Sequence, residues 1–299
     1  MRSCWLNAPG KINLYLEITG DRSDGYRSVV MVLQSIALAD RVRVELGGRN
    51  IDVRCERSDV PDGEQNLAYR AAALLAERYD QHAGVRIYID KHIPVGAGLA
   101  GGSTDAAAVL VGLNQLWQLG LTAGDLQDLA AKLGSDIPFC IHGGTMLAIG
   151  RGEQLSPLQD LQSLWLLLAK PRDLSISTAW AYNTYARLPT ATTHRPISQM
   201  LSAIAHQDTG AVARCLHNDL ELAVLPAHPS IERLKQAMLA SEDVLGAMMS
   251  GSGSTVFAIL PTSERAMALR NRLQPGWADV DFWVTHTTAA GIVIEPDET

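Results

Sequence analysis

Ile12, Leu14, Leu16 and Ile18 alternate with Asn13, Tyr15, Glu17 and Thr19. A period of two places one face of a strand in a core and leaves the other toward polar surroundings. Residues 29–36 and 41–46 carry similar apolar patterns, so the spacing predicts an antiparallel sheet at the start of the chain. Val85, Ile87 and Ile89 alternate with Arg86 and Tyr88 in a further strand. The period turns helical over 66–79, 104–117 and 124–133, where apolar positions recur every three to four residues. Residues 145–149 return to strand and run into Gly150-Arg151-Gly152. A division into two domains, 1–152 and 153–299, is expected there. Beyond it come a buried run at 165–169, several amphipathic helices, and a strand, a helix and a strand between 256 and 285. This order predicts an α+β fold of helices with mixed or antiparallel sheets, without repeats or a long linker.

Residues 93–108 break these periods. Gly96, Gly98, Gly101 and Gly102 lead into Ser103, Thr104 and an alanine-rich helix. Glycine lets the backbone approach an anion, the first N–H groups of the helix point at it, and the helix dipole adds about half a positive charge. The alternative is a surface loop with Ser103 as N-cap, but one cap residue does not call for this many glycines. Gly96, Gly98 and Gly101 formally match the dinucleotide fingerprint G-x-G-x-x-G. That unit needs its glycines directly after a strand, and a second strand with an acidic end after the helix. Here Lys91-His92-Ile93-Pro94 intervenes, and the helix leads to another helix. A Walker loop fails as well, because Ser103 follows Gly102 with no lysine between them. A phosphate held here must draw its cation from elsewhere in the chain.

The chain has 299 residues, 47% of them hydrophobic, enough to build the core of one large domain or two ordinary ones. A net charge of −7 argues against a nucleic-acid partner and leaves room for a small anion in a locally positive pocket. Cys4, Cys55, Cys140 and Cys215 are scattered without a C-x-x-C pair, as expected of reduced thiols in the cytoplasm. Cys140 and His142 alternate along an expected strand, a spacing that makes a poor metal site. No apolar run approaches the roughly 18 residues of a membrane span, and the first residues lack the layout of a secretion signal. A soluble cytoplasmic protein with a small-molecule substrate is expected. No spacing separates monomer from dimer.

Two further segments draw notice. Asn7-Ala8-Pro9-Gly10-Lys11-Ile12-Asn13 sets a lysine and an asparagine at the entrance of an apolar strand, where a solvated strand-end lysine is one reading. Gly134-Ser135-Asp136-Ile137-Pro138-Phe139 reads as a helix start with Asp136 as N-cap and the proline in the first turn. Together with the glycine loop, and with Ser250-Gly251-Ser252-Gly253-Ser254 near the end, these segments resemble in order the motifs of the GHMP kinases, which phosphorylate small molecules. Asp24-Gly25-Tyr26, Lys11 and the Asp136 segment narrow the likeness to members that act on a cytidine diphosphate derivative.

The resemblance implies a two-domain fold with its active site between the domains, and ATP and Mg²⁺ as co-substrate and cofactor. The reaction it implies is phosphorylation of the 2-hydroxyl of a cytidine-diphosphate-linked methylerythritol in non-mevalonate isoprenoid synthesis. Asp136 is then expected to take the hydroxyl proton, with Lys11 beside it. At about 4 Å and an effective dielectric near 20, such a pair attracts by roughly 4 kcal/mol before desolvation. Pro94, Val95, Gly96, Ala97, Gly98, Leu99, Ala100, Gly101, Gly102, Ser103 and Thr104 match the ATP-phosphate loop, with the Ser103 hydroxyl also placed for Mg²⁺. Asn66, Leu67 and Lys91 match positions near adenine; their ordinary alternatives are a helix cap, a packed leucine and a solvated lysine. Tyr26 and Tyr182 match aromatics that stack on cytosine, with Asn13 and Thr178 nearby. Arg27 stands where the family usually has histidine. Arginine only donates, so an acceptor contact to the cytosine amine through this side chain is lost, while a contact to the diphosphate becomes available.

Overall fold

The structure, a computed structural model, describes residues 2–23, 25–161, 164–188 and 196–296; Asp24 lies outside them. In chain order the first elements are β1 (Ser3–Asp21), β2 (Arg27–Leu46), β3 (Ile51–Cys55), α1 (Leu67–Arg78), β4 (Val85–Asp90), α2 (Gly101–Leu116), α3 (Ala123–Ala130), α4 (Ile137–His142), β5 (Thr145–Gly150) and β6 (Gln154–Pro157). There follow β7 (Trp165–Pro171), α5 (Thr178–Tyr185), α6 (Ile197–Ala205), α7 (Thr209–Arg214), β8 (His217–Asn218), α8 (Glu221–Ala227), α9 (Pro229–Leu239), β9 (Gly246–Met249), β10 (Val256–Leu260), α10 (Ser263–Leu273), β11 (Val280–His286) and β12 (Val293–Ile294).

The α+β class is as the sequence predicts. A mixed eight-stranded sheet carries β12-β1-β2-β4-β3, with β5 and β6 branching from β2 and β8 from β1. An antiparallel four-stranded sheet has the order β11-β7-β10-β9. The two strands expected at 29–36 and 41–46 are one strand, β2. Its first part pairs with β5 and its last part with β4, so one long strand serves two neighbours and shows two apolar stretches. Strands β8 and β12 bring the second half of the chain onto β1, and β6 pairs with β5 across residue 152.

The half-buried strand expected at 12–18 is instead buried on both faces from Ile12 to Leu16. Ile12 and Leu14 pack with Leu166, Leu168, Phe257 and Ile259 of the second sheet, while Leu6, Ala8 and Leu16 join the helices α1 and α2 in the other cluster. Register shifts between Pro9 and Lys11 and between Asn13 and Tyr15 turn the strand between these cores. Cys140 and His142 lie on the helix α4 rather than on a strand. At a spacing of two they point around the helix instead of sharing a face, and burial pushes the Cys140 thiol well above its ordinary range. No helix among the described residues is long and apolar enough to cross a membrane.

Candidate active site

A cleft of about 800 Å³ opens where β1, the glycine loop, α4 and the Ser250–Ser254 turn meet. The bulge at Pro9 and Lys11 aims the Lys11 side chain into it. Lys11 is 4% exposed, not solvated, and a buried ammonium needs partners. It donates to Asn13 Oδ1 at 2.8 Å and lies 3.6 Å from Asp136 Oδ2. Asp136 occupies the N-cap position of α4, with proline in the first turn, yet its side chain makes no capping hydrogen bond. Its carboxylate is thereby left for Lys11 and the cleft. Asn13, fully buried, also donates from Nδ2 to Met31 Sδ at 3.4 Å, which fixes the amide with its oxygen toward Lys11.

The glycine loop forms one wall. Gly96 and Gly98 have φ of +61° and +74°, a region that strains any other residue. A Cβ on Gly98 would strike the Ser250 carbonyl, and Ser250 Oγ donates to Gly98 O at 3.0 Å. The loop and the closing turn are therefore packed backbone on backbone. Among the described residues, no hydrogen bond within the protein uses the N–H of Gly98, Gly101, Gly102 or Ser103. Those donors, with the Ser103 hydroxyl, lie at the cleft at the start of α2. Pro94, Val95, Ala97 and Ala100 also line it; Leu99 and Thr104 do not, since their side chains are buried in the core. Leu99 contributes through its carbonyl, which accepts the Lys11 N–H at 3.0 Å.

The three residues matched to the adenine region also reach the cleft, with their side chains differently engaged. Asn66 caps α1, accepting from Ala68 N at 2.8 Å, and its Nδ2 donates to Pro61 O at 2.8 Å. Leu67 packs against the core below Gly102. Lys91 is buried, not solvated: its ammonium lies 2.5 Å from Asp40 Oδ2 and 2.6 Å from Asp105 Oδ2. Burial pulls this ammonium toward its neutral form, but the two carboxylates outweigh it and raise its pKa.

At the other end Tyr26 is 53% exposed, with the Arg151 guanidinium 4.9 Å from its ring centroid. Arg27 lines the cleft and pairs with Asp21. Thr178 Oγ1 and Ser252 Oγ share a hydrogen bond of 3.1 Å, and Tyr182 faces the same space. Burial, helped by the charges of Asp136 and Asp219, drives the Tyr182 phenol above its ordinary pKa, so it stays neutral. Sequence reasoning passed over Arg151, Ser135, Asn183, Asp105, Gly251 and Ser252 as site residues, though all line the cleft. A cation between two glycines at Gly150-Arg151-Gly152 was a usable signal for the first, and the closing glycine motif for the last two. Nothing local marked Asn183.

Comparison with known proteins identifies the family. The GHMP kinases N terminal domain family matches residues 66–144 and the GHMP kinases C terminal family residues 200–278. A 4-diphosphocytidyl-2-C-methyl-D-erythritol kinase from Synechococcus sp. (strain JA-2-3B'a(2-13)) is 54% identical, covering 99% of this chain and 98% of its own. The enzyme of the same name from Acaryochloris marina is 49% identical over 98% of this chain and 99% of its own. Among solved structures, a 4-(cytidine 5'-diphospho)-2C-methyl-D-erythritol kinase superposes with a TM-score of 0.77 at 32% identity, covering 95% of this chain and 98% of that one. A homoserine kinase from Cytophaga hutchinsonii, at 19% identity and a TM-score of 0.77 over 99% of this chain and 98% of that one, shares the fold. The chain belongs to the GHMP kinases and, within them, to the 4-diphosphocytidyl-2-C-methyl-D-erythritol kinase family.

Proposed function

We propose that this protein transfers the γ-phosphoryl group of ATP to the 2-hydroxyl of 4-diphosphocytidyl-2-C-methyl-D-erythritol, giving the 2-phosphate and ADP for isoprenoid precursor synthesis in the cytoplasm. The observation that carries the reading is the buried Lys11 within 3.6 Å of an uncapping Asp136, at the mouth of a glycine loop with unused N–H donors. Those donors and the Ser103 hydroxyl suit the ATP phosphates, because fixed dipoles in a sheltered cleft stabilise phosphoryl charge without reorganising. Mg²⁺ bound with the nucleotide would neutralise phosphate charge, and the Ser103 hydroxyl, which lines the cleft, would offer it an oxygen ligand. The first half of the chain, 1–152, would supply the ATP loop, Lys11 and Asp136, and the second, 153–299, the closing turn, Thr178 and Tyr182.

Phosphoryl transfer passes through a loose transition state, so positioning and electrostatics supply most of the catalysis. Asp136 accepts the hydroxyl proton late, as the bond from the γ-phosphorus to the ADP oxygen breaks, the new O–P bond forms and negative charge builds on the departing ADP oxygen. Lys11, 3.6 Å from Asp136, would offset the negative charge of the phosphoryl oxygens as the group transfers, taking the part that the missing Walker lysine plays elsewhere. Asn13 holds Lys11 in place. Tyr26 and Tyr182 present aromatic surface to the cytosine, and Arg151, stacked on Tyr26, brings a cation to the acceptor end.

The direct test is transfer from ATP and Mg²⁺ to 4-diphosphocytidyl-2-C-methyl-D-erythritol, run beside homoserine and mevalonate, with ADP formation and product mass recorded. Selective 2-phosphorylation of the cytidyl acceptor is the expected result. Turnover of homoserine or mevalonate in its place would keep the kinase chemistry and overturn the substrate.

A further inference from the structure

Three titratable groups are sealed beneath the glycine loop, and the reaction uses none of them. Lys91, at the exit of β4, lies between Asp40 of β2 and Asp105 of α2, with side-chain exposures of 3%, 0% and 4%. The two carboxylates are not equivalent. Asp40 is fully engaged, its Oδ1 accepting the N–H groups of His92 and Ile93 at 2.7 Å each and its Oδ2 accepting from Lys91. Asp105 gives Oδ2 to Lys91, while its Oδ1 is buried with no hydrogen-bond partner among the described residues. One ammonium thus faces two carboxylates. For stability alone the arrangement has one buried acid too many, because the Lys91–Asp40 pair is complete without it.

The position of the excess acid suggests its purpose. Asp105 is in the second turn of α2, just after Gly101, Gly102 and Ser103, and it borders the cleft. A Cβ built on Gly101 would stand 2.9 Å from Lys91 Nζ, so the loop backbone passes directly over the ammonium. The helix whose first N–H groups face the cleft is therefore pinned to the sheet at this polar point.

We propose that Asp105 is a positioning residue for the nucleotide: through Lys91 and Asp40 it fixes the start of α2 against β2 and β4, so that the N–H groups of Gly101, Gly102 and Ser103 converge on the ATP phosphates. The Lys91 ammonium then serves the loop from beneath rather than as a ligand. This rests on the kinase reading of the cleft. Asp105→Ala leaves the neutral Lys91–Asp40 pair and a good helix former, so the protein is expected to fold. Asp105→Leu, closer in volume, is the second variant, and Asp105→Asn the conservative one, since its amide oxygen still accepts from Lys91.

The test is equilibrium binding of a non-hydrolysable ATP analogue with Mg²⁺ to the full chain, followed by steady-state kinetics with the cytidyl acceptor. Asp105→Ala or Asp105→Leu should weaken analogue binding and raise the KM for ATP about tenfold. The acceptor KM should stay within twofold and kcat at saturating ATP within threefold, and Asp105→Asn should restore ATP affinity to within threefold. Wild-type affinity in a folded Ala or Leu variant would overturn the proposal. So would a loss that falls on kcat or on the acceptor, an Asn variant as weak as the Ala variant, or failure of both the Ala and Leu variants to fold while Asn folds, which would make the role one of stability. If the wild-type protein binds no ATP analogue, the kinase reading fails first; if it binds ATP but ignores the cytidyl acceptor, only the substrate assignment fails and the binding arm still decides the role of Asp105.

Discussion

Asp136 and Lys11 make the sharpest residue-scale predictions. Removing a positioned proton acceptor costs about 10²–10⁴ in rate, so Asp136→Ala should lower kcat by that order while the KM for ATP changes little. Lys11→Met should do the same with a larger structural effect, because Asn13 Oδ1 loses its donor in a buried site. Steady-state kinetics beside an ATP-analogue binding assay separates chemistry from binding; near-normal turnover in either folded variant would defeat the mechanism. At the acceptor end, a cation over an aromatic ring is worth about 0.5–2 kcal/mol. Arg151→Ala, which uncovers Tyr26, should therefore raise the acceptor KM several-fold and leave the KM for ATP alone. An unchanged acceptor KM would place Arg151 outside recognition.

At the scale of elements, the glycine loop and the helices it joins act as a unit. Gly98→Ala should cost more than an ordinary glycine substitution, because the new Cβ would strike the Ser250 carbonyl and φ is +74°. Loss of nucleotide binding is expected, read by calorimetry; retained affinity would mean that the loop and the closing turn separate easily. Asn66 tests the cap of α1. Asn66→Ala removes the bond from Ala68 N and the tie to Pro61, with an expected loss of about 1 kcal/mol for the cap alone, seen as a lower denaturation midpoint. The glycine motif was legible in the sequence because φ and close approach demand that residue type. The use of Asn66 as a cap was legible as an alternative, for the same local reason. The burial of Lys91 was not legible, since the carboxylates that hold it come from β2 and α2.

For the whole molecule, two predictions concern stability. A ligand at a hundred times its Kd adds about 2.7 kcal/mol to stability, so ATP with Mg²⁺ should raise the melting temperature of the wild-type protein and of Asp136→Ala alike. The shift should be lost in Gly98→Ala. The second follows from the sealed charges. Burial, aided by Asp40 and opposed by Lys91, pushes the Asp105 carboxyl up to about 7. A carboxyl whose folded pKa lies above its unfolded value contributes stability that is fully present below the unfolded pKa and is lost as pH rises through the folded one. Asp105→Asn should therefore melt above the wild type at pH 8, with the difference shrinking toward pH 4; a constant difference would mean that Asp105 does not titrate in this window.

By itself the sequence determined the α+β class, the glycine loop and the order of its partner motifs, because period, turn chemistry and backbone freedom are local properties. Locally Lys11 and Asp136 read as a strand-end lysine and a helix cap, and it was the resemblance of their segments to GHMP kinase motifs that marked them. Only the tertiary structure decided that Lys11 is buried, that Asp136 leaves α4 uncapped to meet it, and that β1 is covered on both faces. The same holds for Arg151 on Tyr26 and for Lys91 between two acids. In each case the deciding partner lies tens to hundreds of residues away or on another element, and burial and Coulomb energy depend on distance in space, which hydropathy along the chain does not encode.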